Sequence, residues 1–311
     1  MEHVCVLSGG VGGARFVRGL VDAVGPERVT VIGNVGDDDE FFGLHVSPDL
    51  DSIVYALADV HDTRRGWGRR RETWNALETA RALEDDETWF QLGDRDLGLH
   101  LVRTKALRAG EPLSAVTARV AKAFGVGVRV LPATDHRLRT IVETSAGDLS
   151  LQEWFVRRRG RDAVDGVRFE GAAFATPAPG VSEAIERASL VVIAPSNPYI
   201  SIWPILAVRG IPEAARRTPR PVVGVSPLIG GKPVKGPAGR MLRRLAGGAS
   251  PAHVARCYAG LLDVLVIDEA DAAGARAVQA AGVRPHVTQT LMQDRRAARR
   301  LAAAVLEAAG T

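Results

Sequence analysis

The stretch "LSGGVGGAR", residues 7–15, decides how this chain is read. A short apolar run at 4–7 precedes it, and a helical pattern over 14–23 follows. A strand that runs through glycines straight into a helix gathers backbone N–H groups and the positive end of a helix dipole at one point. A phosphate fits there. The motif is no Walker A loop, because no Gly-Lys-Ser/Thr follows. Nor is it a clean GxGxxG, since counting from Gly10 the last position is Arg15. The plainer alternative is a tight strand–helix turn with no ligand.

Working outward, β-rich apolar runs at 29–33, 190–196, 222–227 and 264–271 alternate with helical patterns at 49–59, 72–83, 112–125 and 291–309. That alternation predicts an α/β fold: a mostly parallel sheet with helices on both faces. Residues 126–173 have a different texture, with short strands around turns, and are read as a smaller inserted α+β subdomain within one domain over 1–311. In such sheets ligands bind outside the carboxyl ends of the strands, at a topological switch point. The strand ends read "LSGG", "IGNVGDDD", "APSNP" and "GVSPLIGG". They offer Gly9, Gly10, Gly12, Gly13, Asn34, Ser196, Asn197 and Ser226 as candidates for a shared anion and ribose site.

Five acids fall in or near one glycine-bearing loop: Asp37, Asp38, Asp39, Asp49 and Asp51. One acid near a second strand's end suits a ribose hydroxyl; a cluster of hard oxygen donors suits Mg²⁺ beside substrate phosphates. Ser47 or Asp49 is placed to cap the helix that follows, and capping alone is the competing account. In "LGDRDLGLHLVRT" Arg95 can clamp an anion or stack on a flat ring, whereas His100 reads as structural. "GGKPVKGPAGR" resembles a second anion loop with Lys235 as its point charge; an exposed turn is the alternative.

Composition sets the outer limits. The chain has 311 residues, 46% of them hydrophobic, and no apolar stretch of the length a membrane span needs. Glu2 and the early glycines argue against a signal peptide. Cys5 and Cys257 suggest buried thiols rather than a disulfide framework or zinc site. A cytoplasmic protein is therefore expected. Net charge is +4, and four of the 40 basic residues are lysines. The basic runs at 64–71 and 156–161 come with no nucleic-acid motif, so solvated loops or an anion-attracting rim are expected and no nucleic-acid partner.

Six motifs in order resemble the 2-phospho-L-lactate transferases, which build the deazaflavin coenzyme F-420. They are "LSGGVGGARFVRGL", "SPDLDSIVYAL", "LGDRDLGLHLVRT", "APSNPYISIWPIL", "VSPLIGGKPVKGPAGR" and "VIDEAD". Together they run from the first strand nearly to the last helix. The actinobacterial members, which use a phosphoenolpyruvyl donor, resemble this chain most in composition. The resemblance implies a Rossmann-like fold with an inserted subdomain, Mg²⁺ as cofactor and a homodimer. It implies that the ribityl hydroxyl of 7,8-didemethyl-8-hydroxy-5-deazariboflavin (FO) attacks a guanosine diphosphate-activated phosphoenolpyruvyl or phospholactyl donor. GMP leaves, and F-420-0 or its dehydro form results.

Carried onto this sequence, the resemblance makes Asp49 the base, with Asp51 second. Asp37, Asp38, Asp49 and Asp51 become the metal acids, and Arg95 falls in the acceptor region. Ser196, Asn197 and Ser226 become nucleotide-side contacts, with Lys235 and Gly236 near the phosphates or guanine. "GNVGDDD" departs from many archaeal members by an extra acid and an added glycine, which ranks Asp37 and Asp38 behind Asp49 and Asp51 as ligands. Two rival readings are a nucleotide-sugar-binding regulator of related fold and an NAD-dependent oxidoreductase.

Overall fold

The computed structural model describes residues 3–310; Glu2 lies outside the described residues. The main sheet comprises β1 Val4–Ser8, β2 Val29–Gly33, β3 Arg129–Pro132, β4 Leu190–Ile193, β5 Val222–Val225, β6 Val264–Asp268 and β7 Arg284–Thr288. Their spatial order is β7-β6-β5-β4-β1-β2-β3, and every neighbouring pair is parallel. Val4 of β1 lies opposite Val29 on one side and Leu190 on the other. Strand order reverses between β1 and β4, which makes the gap between their carboxyl ends the switch point.

The inner strands β1, β2, β4, β5 and β6 are buried along their whole length. A parallel strand covered on both faces needs apolar residues at every position, which is why these segments read as unbroken runs without alternation. The edge strands β3 and β7 open with the exposed arginines Arg129 and Arg284.

Four helices frame the site: α1 Gly10–Val24, α2 Pro48–Leu57, α3 Asp94–Arg108 and α4 Arg295–Gly310. Helix α1 packs on α2 and α4. Its crossing with α4 depends on Gly19, where a Cβ would lie 2.4 Å from the carbonyl carbon of Ala298. Helix α2 opens with Pro48 and carries Asp49 and Asp51 in its first turn, which suits its positive end. The last helix starts at Arg295, later than the periodicity suggests, because Asp294 Oδ1 accepts from the Ala297 N–H (2.7 Å) and fixes the start there.

Between β3 and β4 the chain forms an antiparallel sheet of Arg139–Thr144, Gly147–Ser150 and Val164–Glu170. Residues 126–132, grouped with this part in the sequence, behave differently. They lead into and form β3, which pairs with β2 from Thr30↔Arg129 to Gly33↔Pro132. Their short "RVLP" run carries no signal that separates an edge strand of one sheet from a strand of another. Cys5 is fully buried, and burial pushes its thiol up to about 12; Cys257 is half-buried. Among the described residues no helix is long and apolar enough to cross a membrane.

Candidate active site

The carboxyl ends of β1, β2 and β4 bring Gly9, Asn34 and Ser196 into contact. Ser196 Oγ donates to the Gly9 carbonyl at 2.7 Å. Gly13 sits where a Cβ would lie 2.5 Å from Ser8 Oγ and 2.6 Å from Ser196 Oγ. The start of α1 is thus pressed against β1 and the β4 loop more closely than any side chain allows. Gly9 is as confined: a Cβ there would lie 2.5 Å from Asp49 Oδ2 and 2.9 Å from Ser201 Cβ. Gly10 has a φ of +69°, and the Asp49 carboxylate lies against this turn.

The mouth of the glycine turn is therefore faced by a carboxylate of this chain. Asp49 stands in the first turn of α2 and at the start of α1 together. Asn34, completely buried, donates from Nδ2 to Asp49 Oδ2 (2.9 Å) and to the Ile200 carbonyl (3.1 Å). Its Oδ1 accepts from the Gly36 N–H at 2.8 Å, which fixes the amide's orientation.

Asp37 is the partner of Asp49. Burial above all, then the charges of Asp49 and Asp38, holds its carboxyl well above the usual range. Asp49 is pushed up to about 6, again chiefly by burial, against the opposing hydrogen bonds from Asn34, Gly10 and Asp37. The two buried carboxyls bind protons as a pair, both held above the usual carboxylate range. The backbone carbonyl of Asp37 accepts from Gln152 Nε2 (3.0 Å), a residue between the second and third strands of the antiparallel sheet.

The other acids do not join this pair. Asp38 Oδ2 accepts from Ser47 Oγ (2.8 Å) and lies 3.1 Å from His45 Nε2. Its Oδ1 is buried with no hydrogen-bond partner among the described residues. Ser47 holds the N-cap position of α2, but its hydroxyl serves Asp38 and makes no cap bond. Asp39 lies 3.9 Å from Arg139 Nε.

Asp51 points the other way from Asp49. Both its oxygens accept from the fully buried Arg103 of α3, one of them at 2.9 Å. A carboxylate gripped on both oxygens by a guanidinium is not free to ligate a metal or take a proton. Of the two acids of "SPDLD", Asp49 thus stands beside Asp37 while Asp51 is paired with Arg103. His100 flanks this ion pair; burial first of all pulls its pKa down to about 4, so it adds no charge at neutral pH.

The remaining candidates line the rim. Arg95 is exposed at the start of α3, and its backbone N–H donates to Glu72 Oε2 (2.8 Å). Asn197 Oδ1 accepts from the Tyr199 N–H (3.0 Å) and starts the turn after β4. Ser226, buried after β5, accepts from the Leu228 N–H at 3.2 Å. Lys235 is exposed, and its Nζ donates to the Arg65 carbonyl (3.3 Å); Gly236 has a φ of +82°. The basic run at 64–71 is a turn in which Arg65 stacks over Trp67 and Trp74. A cleft of about 410 Å³ opens beside the acids, lined by Asp38, His45, His136, Arg137 and Arg139 among others, a volume that suits a small-molecule ligand.

Among the described residues no three histidine, cysteine or acidic side chains form a preassembled metal cage. Mg²⁺ commonly takes only one or two carboxylates and completes its shell with water and substrate phosphate. Asp37, Asp49 and the unpartnered oxygen of Asp38 are hard donors of that kind, so the residues present fit such an ion. Sequence reasoning missed Gln152 and His45, which stand in no quoted motif, passed over Ser201 within "APSNPYISIWPIL", and missed the lock of Arg103 on Asp51, which joins residues 52 positions apart.

A parallel sheet with a glycine turn at its switch point and buried carboxylates beside it is a Rossmann-like α/β arrangement suited to a phosphate-bearing ligand. Residues 4–309 match the family described as 2-phospho-L-lactate transferase CofD, and the chain belongs to that family of transferases. It is 44% identical to a phosphoenolpyruvate transferase of Streptomyces griseus, over 99% of this chain and 98% of that one. It is 42% identical to a phosphoenolpyruvate transferase of Mycolicibacterium smegmatis, with the same coverage. A protein member of the upf0052 family from Bacillus halodurans has the same fold, with a TM-score of 0.65, 19% identity and 98% of each chain covered.

Proposed function

We propose that this transferase moves a phosphoenolpyruvyl group, or its phospholactyl counterpart, from a guanosine diphosphate-activated donor to the terminal ribityl hydroxyl of FO. One observation carries the reading: Asp49, buried in the first turn of α2 and held by Asn34 at 2.9 Å, lies against the glycine turn at the start of α1. Asp49 takes the proton of the acceptor hydroxyl. The freed oxygen attacks the phosphorus that bears the enolpyruvyl or lactyl group. The bond from that phosphorus to the bridging oxygen breaks, and GMP departs with the electron pair. The product is a phosphodiester, dehydro-F-420-0 or F-420-0, and one proton is released.

Most of the rate comes from holding reactants in line and stabilising charge. Asn34 keeps Asp49 oriented through its 2.9 Å bond. Mg²⁺, held by one or two carboxylates among Asp37, Asp38 and Asp49, would neutralise the diphosphate. Ser196, Asn197, Ser226, Lys235 and Gly236 form the nucleotide side of the rim, and Arg95 the acceptor side. The relatives named phosphoenolpyruvate transferase favour the enolpyruvyl donor. A homodimer belongs to the same reading.

The test is mass spectrometry of parallel reactions with FO, Mg²⁺ and each guanylylated donor. The expected result is a new FO phosphodiester with stoichiometric GMP, faster with the enolpyruvyl donor. Folded protein that yields no product with either donor, and binds a UDP-sugar instead, would overturn the proposal in favour of a nucleotide-sugar regulator.

A further inference from the structure

The two aspartates of "VIDEAD", residues 266–271, act on loops. Asp268, at the end of β6, accepts from the Ala270 N–H (2.9 Å) and from both the N–H and the hydroxyl of Thr290 (2.8 and 2.9 Å). Asp271 reaches further. Its Oδ2 accepts from the Gly230 N–H at 2.9 Å and its Oδ1 from the Gly231 N–H at 2.8 Å. Gly230 and Gly231, with φ of +58° and +70°, are the tip of a hairpin that pairs Leu228–Ile229 with Lys232–Pro233. Two successive left-handed residues in a two-residue hairpin turn are the type I′ arrangement, in which glycine is favoured. Gly231 is also confined, since a Cβ there would lie 3.2 Å from the Ala249 carbonyl.

A hairpin with two residues per strand holds itself together poorly. This one leaves β5 through Ser226 and runs on to Lys235 and Gly236. The buried carboxylate of Asp271 ties its tip to the segment after β6, and on the other side Lys235 touches the Arg65 carbonyl. We propose that Asp271 is a positioning residue for the nucleotide donor: by gripping both glycine N–H groups it fixes the 226–236 loop, and with it the Lys235 ammonium that meets the diphosphate. This inference rests on the transferase reading above.

The test compares wild type, Asp271→Asn, Asp271→Ala and Asp271→Glu. Asparagine keeps the size but turns an amide donor toward one of the two glycine N–H groups. GMP binding, FO binding, steady-state kinetics with both substrates, melting temperature and amide exchange over 228–236 are measured. The expected result for Asp271→Asn is about a tenfold weaker GMP affinity and a donor KM raised by the same factor. Meanwhile kcat and the KM for FO stay within about twofold, and exchange at the hairpin tip accelerates. Glutamate recovers part of the loss. Should the alanine variant fail to fold, the asparagine variant and the exchange data carry the test. GMP affinity and exchange equal to wild type overturn this inference alone. So does an equal loss of donor and acceptor affinity that tracks the melting temperature, the mark of a merely structural residue. Wild type that binds no GMP overturns the transferase reading and this inference with it.

Discussion

The two flanks of the strand-end rim handle charge in opposite ways. On the β2 side the charges are buried. Asp37, Asp38, Asp49 and Asp51 are all shielded from water, and each is answered by named groups of the chain. On the β5 side the charge is exposed: Lys235 stands in solvent on a loop held by Asp271. Burial raises proton affinity and fixes geometry, as a reacting centre requires. Exposure leaves a cation hydrated and adaptable, as suits a substrate that arrives and departs. On the proposed function, the first flank would set the rate and the second how tightly the donor is held.

The largest expected effect is on the buried flank. Asp49→Asn should lower turnover by about 10²–10⁴-fold with little change in donor affinity, the usual span for losing a general base. Near-normal turnover would break the comparison at its centre. The same variant should be more stable than wild type without Mg²⁺, because the native state holds Asp49 above its unfolded pKa. Wild type loses stability as pH rises from about 4, where the unfolded carboxyl ionises, to about 6, where the native one does. The melting-temperature gain of Asp49→Asn should therefore grow between those values and stay level above them. A gain largest at pH 4 would contradict the buried-pair assignment.

Arg103→Met comes next. It leaves Asp51 buried without a counter-charge and should cost about 3–5 kcal/mol in urea unfolding. Pairing it with Asp51→Leu should restore much of that, since removing both charges relieves the desolvation that removing one exposes. If the single variant costs little, Asp51 is not locked as described. The smallest effect belongs to the exposed flank. Lys235→Ala should raise the donor KM by about fivefold, more at low salt than at high, with kcat nearly unchanged. A loss of kcat instead would move Lys235 to the reacting centre.

The sheet was largely legible in the amino-acid order. Its inner strands are mostly apolar and buried throughout because both faces are covered, and "LSGG" marks where the first one stops. β3 was harder, because a four-residue edge strand with an exposed arginine resembles the antiparallel strands that follow it. Within the site, Asn34, Asp37, Asp49, Gly9 and Ser196 could be nominated because each stands at a strand end or in the loop that follows one. Gln152 could not, because neither its residue type nor its spacing distinguishes it from any surface polar residue, and Ser201, though inside "APSNPYISIWPIL", stands beyond the strand end.

By itself, then, the sequence determined the parallel α/β sheet, the glycine entry to α1 and the strand ends at which chemistry gathers. These follow from local rules: apolar runs bury, glycines admit close approach, and helices begin after them. Only the tertiary structure decided which acid does what. Asp49 and Asp51 are two residues apart on one helix and look alike in sequence. One meets Asn34 and Asp37 and keeps a proton-accepting oxygen, while the other is gripped by Arg103, 52 positions away. Proton affinity and availability depend on burial and on partners brought together by the fold, and neither is written in the residue's neighbours along the chain.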